Sequence, residues 1–312
     1  MQHTKTIVWF LVGVAFLWLL PSAGVAETKK RTCGTQHGHS LQHFLDELNP
    51  GDTLLVSGVC TENVLIGTGR RNLTIDGQGT AVITGPDSTE PTVDIRGVAI
   101  TIRGFTITGG REGVHISRGG DAIIDGNVIE NVGTSGVGVH NIGSARILNN
   151  TIRNNPEDGI NVIGGSNAFI GIRSVSNLVA GPNTIQNNGR HGVLVIRGSN
   201  ARVVGNMISG NGENGVTVAR TSHADVSSNT INNSGENGIF VNQNSGVNLG
   251  NDAGAGIIDA PNSTTVNNTL NGIRCRLNSY ADGRLGTLDG TSGAKSFNFA
   301  YRGQTTVDAT TA

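Results

Sequence analysis

The chain reads as an all-β protein, a single-stranded parallel β-helix whose 23-residue coils follow a short N-terminal capping helix. Three observations predict this. Gly113, Gly136, Gly159, Gly192, Gly215 and Gly238 recur at spacings of 23, 23, 33, 23 and 23 residues, and each opens a Gly-apolar-x-apolar segment. In register, the apolar positions form two all-β-branched columns: Val114, Val137, Ile160, Val193, Val216 and Ile239, then Ile116, Val139, Val162, Val195, Val218 and Val241. Between residues 93 and 250 no 3.6-residue period is sustained, which removes the helical-repeat alternative.

Each unit carries two further strands. Ala122, Ala145, Ala168, Ala201, Ala224 and Val247 start one, with Ile124, Ile147, Ile170, Val203, Val226 and Leu249 two residues on; the other is Asn-x-Ile from Asn127, Asn150, Asn183, Asn206 and Asn229. Three short strands cannot bury an apolar face alone, so the units must stack and share one core. The Asn columns, 127 to 229 and a second at Asn131, Asn154, Asn187 and Asn233, read as structural ladders, since Asn bonds up a stack and tolerates left-handed turns. The 33-residue unit holds about ten extra residues in Gly171–Pro182, a loop off one corner.

Residues 1–26 read as a signal peptide: Lys5, an apolar run from Ile7 to Leu20, and small Gly24 and Ala26 before Glu27. That run is too short to span a bilayer, and no later segment is apolar and long enough, so the expected location is secreted, periplasmic or cell-surface. Residues 27–52 read as a cap in which Ser40 starts a helix with Leu41, Phe44, Leu45 and Leu48 on one face. The β-helix is expected over 53–276, with a C-terminal cap and tail over 277–312. After Leu249 the register lapses until Asn271-Gly272-Ile273-Arg274-Cys275. An oxidising compartment permits a Cys33–Cys60 bridge stapling cap to coil, while Cys275 falls in the inward Val218/Val241 column and is expected as a buried thiol.

A formal net charge of −1 and 14% charged residues leave no basic face for nucleic acid. A monomer is expected, with no cofactor and no metal. His37, His39, His43 and His223 read as solvated surface.

The helix cap, the Pro50-Gly-Asp-Thr53 turn, the segment Val56-Ser-Gly-Val-Cys60-Thr-Glu-Asn-Val64 and the Asn-x-Ile coils together resemble exported bacterial right-handed parallel β-helix proteins of the pectate-lyase-like superfamily. The resemblance covers roughly residues 33–300 and implies a right-handed solenoid with a surface suited to extended polysaccharide. It does not carry an activity, because the catalytic signatures of the superfamily's enzymes are not matched: there is no adjacent Asp pair, Arg190-His191-Gly192 is the nearest approach to Gly-His-Gly, and the coils hold no lysine. The calcium-binding Gly-rich nonapeptide is also missing.

One corner gathers chemistry. Preceding the repeat glycines stand Arg111-Glu112, Thr134-Ser135, Glu157-Asp158, Arg190-His191, Glu213-Asn214 and Glu236-Asn237. Stacking sets Asp158 beside His191 and Glu157 beside Arg190, so these four are the catalytic candidates: a carboxylate can fix and raise an imidazole, and Arg190 can neutralise a uronate. His115, Asn161, Glu213 and His140 are the candidate substrate-binding residues on and beside the following strand. Ordinary surface pairs worth about 0–1 kcal/mol are the competing reading of the same charges. Two functions follow: an exported protein that binds or acts on extracellular polysaccharide, or a non-catalytic structural or adhesive solenoid.

Overall fold

The computed structural model describes residues 26–34, 40–173, 179–250, 260–297 and 307–308. The proposed signal peptide up to residue 25, together with His37, His39 and Phe299, lies outside them. Successive coils pair in parallel, each contributing one strand to every face of a right-handed solenoid. One face is a ten-stranded sheet, the front sheet, that includes Val64–Ile66, Val93–Ile95, Val114–Ile116, Val137–His140, Ile160–Ile163 and Val193–Ile196 and continues to Lys295–Phe297. The other two faces, such as Ser144–Leu148 and Thr151–Arg153, join in one sheet because the long strands Arg71–Gly85 and Val98–Gly109 run around the corner between them.

The expected columns form in register: Val114 pairs with Val137, which pairs with Ile160, and Ile160 with Val193. All are buried, in a single cluster running from Cys33 to Leu288. The strand phase is visible at Ile147, fully buried, beside Arg146, which bonds Asp121 at 3.0 Å on the outside.

The repeat glycines are set by crowding. A Cβ on Gly136 would lie 2.5 Å from Ile152 Cγ2 and 2.8 Å from the Gly159 carbonyl, and Gly113, Gly159, Gly192 and Gly215 meet their own third-strand isoleucine in the same way. The corner between the third strand and the next first strand closes only without a side chain.

The Asn127–Asn229 column is the ladder expected. From Asn150 on, each side-chain oxygen accepts from both the backbone N–H and the amide of the Asn one coil before, as Asn183 Oδ1 does from Asn150 at 2.9 and 3.0 Å, while Asn127 Oδ1 accepts the Phe105 N–H. The second column requires correction by one residue. Asn131, Asn154, Asn187 and Asn233 sit in left-handed turns at φ 48–56° with exposed side chains, so the inward ladder is Asn155, Asn188 and Asn211, with amide bonds of 2.9 and 3.0 Å.

The solenoid also outruns its expected limits at both ends. Thr28–Thr32 lies parallel to Thr53–Ser57, adding a strand before residue 53. Tyr280–Arg284 and Lys295–Phe297 extend the faces past residue 276. The register resumes by Asn262, earlier than expected, because Asn262 Oδ1 accepts from Asn229 and continues the ladder. The capping helix is Leu41–Asp46: Ser40 accepts from the His43 N–H, and the Glu62 carboxylate of the first coil accepts from the Leu41 and Gln42 N–H groups at 2.6 and 2.9 Å. Cys33 and Cys60 form the disulfide, and Cys275 is a buried free thiol.

Candidate functional site

The outward side of the front sheet presents one column per alternate strand position. Pairing places Leu65, Asp94, His115, Gly138, Asn161, Leu194, Thr217, Phe240 and Arg274 in a row up the axis, with His140 and Ile163 one row across. Ahead of this row runs the corner column that includes Glu112, Ser135, Asp158, His191 and Asn214; the Gly136 N–H bonds the Asp158 carbonyl and the Gly159 N–H that of His191.

The sequence-chosen residues separate into two constellations. In the upper one, Asp158 and His191 are neighbours, but not as the expected carboxylate–imidazole pair. Asp158 Oδ1 accepts the His191 backbone N–H at 3.3 Å. The imidazole faces the other way: Nε2 lies 3.3 Å from Glu213 Oε2, while Nδ1 meets the Asn214 backbone N–H at 3.4 Å and the Thr217 hydroxyl at 3.3 Å. An N–H can only donate, so Nδ1 is the acceptor and Nε2 carries the proton toward Glu213. Arg190 Nε also bonds Glu213, at 3.1 Å, rather than Glu157. Glu157 meets Arg190 through its backbone carbonyl, which accepts the Arg190 N–H.

Burial sets the electrostatics here. Asp158 is 1% exposed, and desolvation pushes its carboxyl up to about 6 against hydrogen bonding from His191 and the charge of Arg190. His191 is 5% exposed, and desolvation lowers its pKa although Glu213 pulls the other way. The expected elevation of the imidazole is therefore reversed. What solvent meets in this constellation is Arg190, Glu213 and, in part, Glu157.

The lower constellation collects His115, His140 and Asn161 around Glu112, which sequence reasoning placed in the corner column without giving it a role. His115 Nε2 lies 4.0 Å and His140 Nε2 3.8 Å from the two Glu112 oxygens. The imidazoles meet edge to face at 4.9 Å. On the far side of His115, Nδ1 stands 3.2 Å from Asp94 Oδ1, and neither atom completes a hydrogen bond. Burial alone would raise Asp94, but His115 and Arg96 together hold its pKa low. The only sequence signal for Asp94 is its register opposite His115, legible once strand Val93–Ile95 is aligned.

A short polar bridge joins the two. The Asn161 amide donates to Ser135 Oγ at 3.0 Å, which fixes Asn161 Oδ1 against His140 Nε2 at 2.7 Å, and Ser135 Oγ also accepts the Asp158 N–H at 3.3 Å. Glu112, Ser135, Asn161, Asp158 and His191 thus make one connected face over several coils.

His223 lies elsewhere, on the strand His223–Ser227, where it contacts Asp225 Oδ1 at 3.4 Å and the ring of Tyr280 at 6.2 Å. A cavity of about 240 Å³ beside it is lined by Phe169, Arg202 and Asp225.

The family described as right handed beta helix region matches residues 91–253 and 170–283, together more than half of the chain. The crystal structure of the pectate lyase Pel9A superposes with a TM-score of 0.54 at 12% identity, covering 84% of this chain and 78% of the lyase. The A-module of the Azotobacter vinelandii mannuronan C-5 epimerase AlgE4 aligns at a TM-score of 0.42 and 15% identity over 82% of this chain and 91% of its own, too weakly to carry weight. A cell surface glycoprotein of Methanothermus fervidus is 30% identical over 117 residues, 36% of this chain and 19% of that protein, so the match spans about a fifth of the glycoprotein. No helix of the described residues is long and apolar enough to cross a membrane. By its family match and its coil architecture the chain belongs to the right-handed β-helix family and shares the solenoid fold of a pectate lyase.

Proposed function

We propose that this is an exported β-helix protein that binds extended extracellular polysaccharide along the front sheet, between the Glu112 and Glu213 constellations. The observation that carries this is the connected polar face itself: Glu112, His140, Asn161, Ser135, Asp158 and His191 follow the axis coil by coil. Successive coils repeat about every 4.8 Å, so a polymer lying along the axis meets a new outward side chain at each step. Arg190 and Glu213, at the solvent edge, would contact sugar hydroxyls or carboxylates. Asp158 is too buried to touch a glycan and acts as a positioning residue that holds the His191 backbone.

Binding is a better reading than turnover. Both His191 nitrogens are already engaged, and burial lowers the basicity of the ring, so it is a weak base toward substrate. The test is titration of the protein with acidic and neutral oligosaccharides by calorimetry, comparing Glu213→Gln and Arg190→Gln with Arg146→Gln on another face. Binding weakened at least tenfold by the first two and unchanged in the third supports the reading. Glycan affinity indifferent to all three places it elsewhere.

The similarity to a cell surface glycoprotein favours a second reading, a rigid structural or adhesive surface element. Absence of affinity for every glycan tested would leave that reading standing.

A further inference from the structure

We propose that Glu112, His115 and His140 form a binding site for one divalent transition-metal ion of the zinc class, on the outward face of the front sheet. The donor set is mixed nitrogen and oxygen, the set that zinc-class ions prefer over calcium or magnesium. One oxygen of Glu112 and one nitrogen of each histidine all lie within 4.8 Å of one another, and the two Glu112-to-imidazole separations are 4.0 and 3.8 Å. Donors that ligate at about 2.0–2.2 Å stand somewhat closer than this, so a small contraction of three side chains completes the shell.

Three further features point to a cation rather than to ordinary packing. The space between the donors is kept open by Gly138: a Cβ there would lie 2.8 Å from Glu112 Oε1, 3.1 Å from His140 Nε2 and 3.2 Å from Asn161 Oδ1. Gly138 has no positive φ to explain it, and its neighbours in the same outward column are His115 and Asn161. Next, Asp94 Oδ1 and His115 Nδ1 are buried and 3.2 Å apart, and neither atom has any other partner. A carboxylate behind the far nitrogen of a ligating histidine is the usual second-shell arrangement, which would leave His115 Nε2 free for the ion. Last, Asn161 Oδ1, held by Ser135, borders the same space; it takes the His140 Nε2 proton at 2.7 Å, and when that nitrogen gives up its proton to ligate the ion, Asn161 Oδ1 is left to accept from a metal-bound water.

Two arginines bear on the site. Arg96 is committed to Asp94, with Nε at 2.9 Å from Oδ2. Arg111 Nη2 lies 3.4 Å from Glu112 Oε2 on a half-exposed side chain, so an incoming ion would displace it from that oxygen into solvent. Three protein donors leave a coordination position open toward the partly exposed side of His140, for water or for an oxygen ligand. The metal site stands independently of the glycan reading, since its evidence is the donors and the groups around them and not any glycan contact.

The experiment is calorimetric titration of the full chain with Zn²⁺, paired with the visible spectrum of the Co²⁺ form. One equivalent is expected to bind, with the intense absorption of a low-coordinate cobalt site. Glu112→Gln and His140→Ala should each weaken Zn²⁺ binding at least 100-fold. Gly138→Ala, which keeps every ligand but fills the space, should do the same and guards against misfolding of a ligand variant. Asp94→Asn should weaken binding about 10- to 100-fold while leaving the cobalt spectrum in place, as expected of a positioning residue. A His37→Ala/His39→Ala variant should bind as the parent does. No stoichiometric binding, or binding that survives Glu112→Gln and His140→Ala, overturns the proposal.

Discussion

The Asp158 carboxylate accepts the backbone N–H of His191 at 3.3 Å, while the imidazole of the same residue turns away to Glu213. A charge-bearing group has thus been taken inside to hold a strand corner, and the consequence is a pH dependence of known sign.

Desolvation raises Asp158 from an ordinary 3.8 to about 6, so between these values the folded state holds more proton than the unfolded chain. Stability from this group is therefore greatest below about pH 4 and falls as pH rises to 6, a cost on the order of 2–3 kcal/mol by neutral pH. Asp52 has the opposite sign. Its carboxylate accepts the Asn49 and Glu27 N–H groups at 2.9 and 2.8 Å, which holds its pKa low, so its contribution is present at neutral pH and is lost on acidification. At pH 7 Asp158→Asn should raise the thermal midpoint and Asp52→Asn should lower it; at pH 4 the gain from Asp158→Asn should vanish. Equal effects of Asp158→Asn at the two pH values would show that the carboxyl does not titrate as its burial requires.

Periodicity made the fold legible and made only part of the site so. Val137, Ile160 and Val193 repeat in register, and a repeat averages away local ambiguity, so the inward apolar columns were readable. The second ladder was misplaced by one residue because adjacent Asn154 and Asn155 are identical in type, and only the backbone sign at Asn154, φ 56°, decides which side chain enters. At the corner, sequence shows which residues are stacked but not which way a ring turns about χ1; His191 therefore pairs with Glu213, the coil after, and not with Asp158, the coil before. Glu112 and Asp94 were missed for a different reason. Glu112 meets the histidines only across the open position at Gly138, and a glycine in a glycine-rich repeat carries no distinguishing signal, while Asp94 is tied to His115 only by register.

The Asn ladder should prove a buried and costly network. Asn183 accepts from the Asn150 backbone and amide and donates to the Ile147 carbonyl at 2.8 Å and to Asn206 at 2.9 Å. Asn183→Ala strands several buried groups at once and should cost about 2–4 kcal/mol in denaturant unfolding. Asn187→Ala, at an exposed left-handed turn, should cost only about 1 kcal/mol, and Asn187→Gly should be near neutral. A loss at Asn187 as large as that at Asn183 would assign the ladder to the wrong column.

The repeat glycine is expected to be intolerant for steric rather than conformational reasons. With Ile152 Cγ2 only 2.5 Å from a Cβ at Gly136, and a strand carbonyl on the other side, Gly136→Ala must push the third strand outward, at about 1–3 kcal/mol. Gly67, with nothing within 4 Å of its Cβ position, supplies the control and should accept Ala within about 0.5 kcal/mol. Comparable urea midpoints for the two variants would contradict the close approach seen at the corner.

The cysteines make the most direct chemical check. Cys33 and Cys60, 27 residues apart, tie the chain before the capping helix to the first coil, and a loop of that size stabilises by about 3.5 kcal/mol in the chain-entropy account. Cys275 instead stacks on Val241 in the front sheet's inward column, where burial pushes its thiol up to about 12. A thiol raised that far is almost wholly protonated at pH 8 and hidden from reagent, and protonated thiols are poor nucleophiles. Titration with a disulfide reagent should find no reactive group in the native protein and one after denaturation without reductant. Reduction before denaturation should raise the count to three and lower the thermal midpoint. Three reactive groups without reductant, or a disulfide-linked dimer on a non-reducing gel, would refute both the Cys33–Cys60 pairing and the buried place of Cys275.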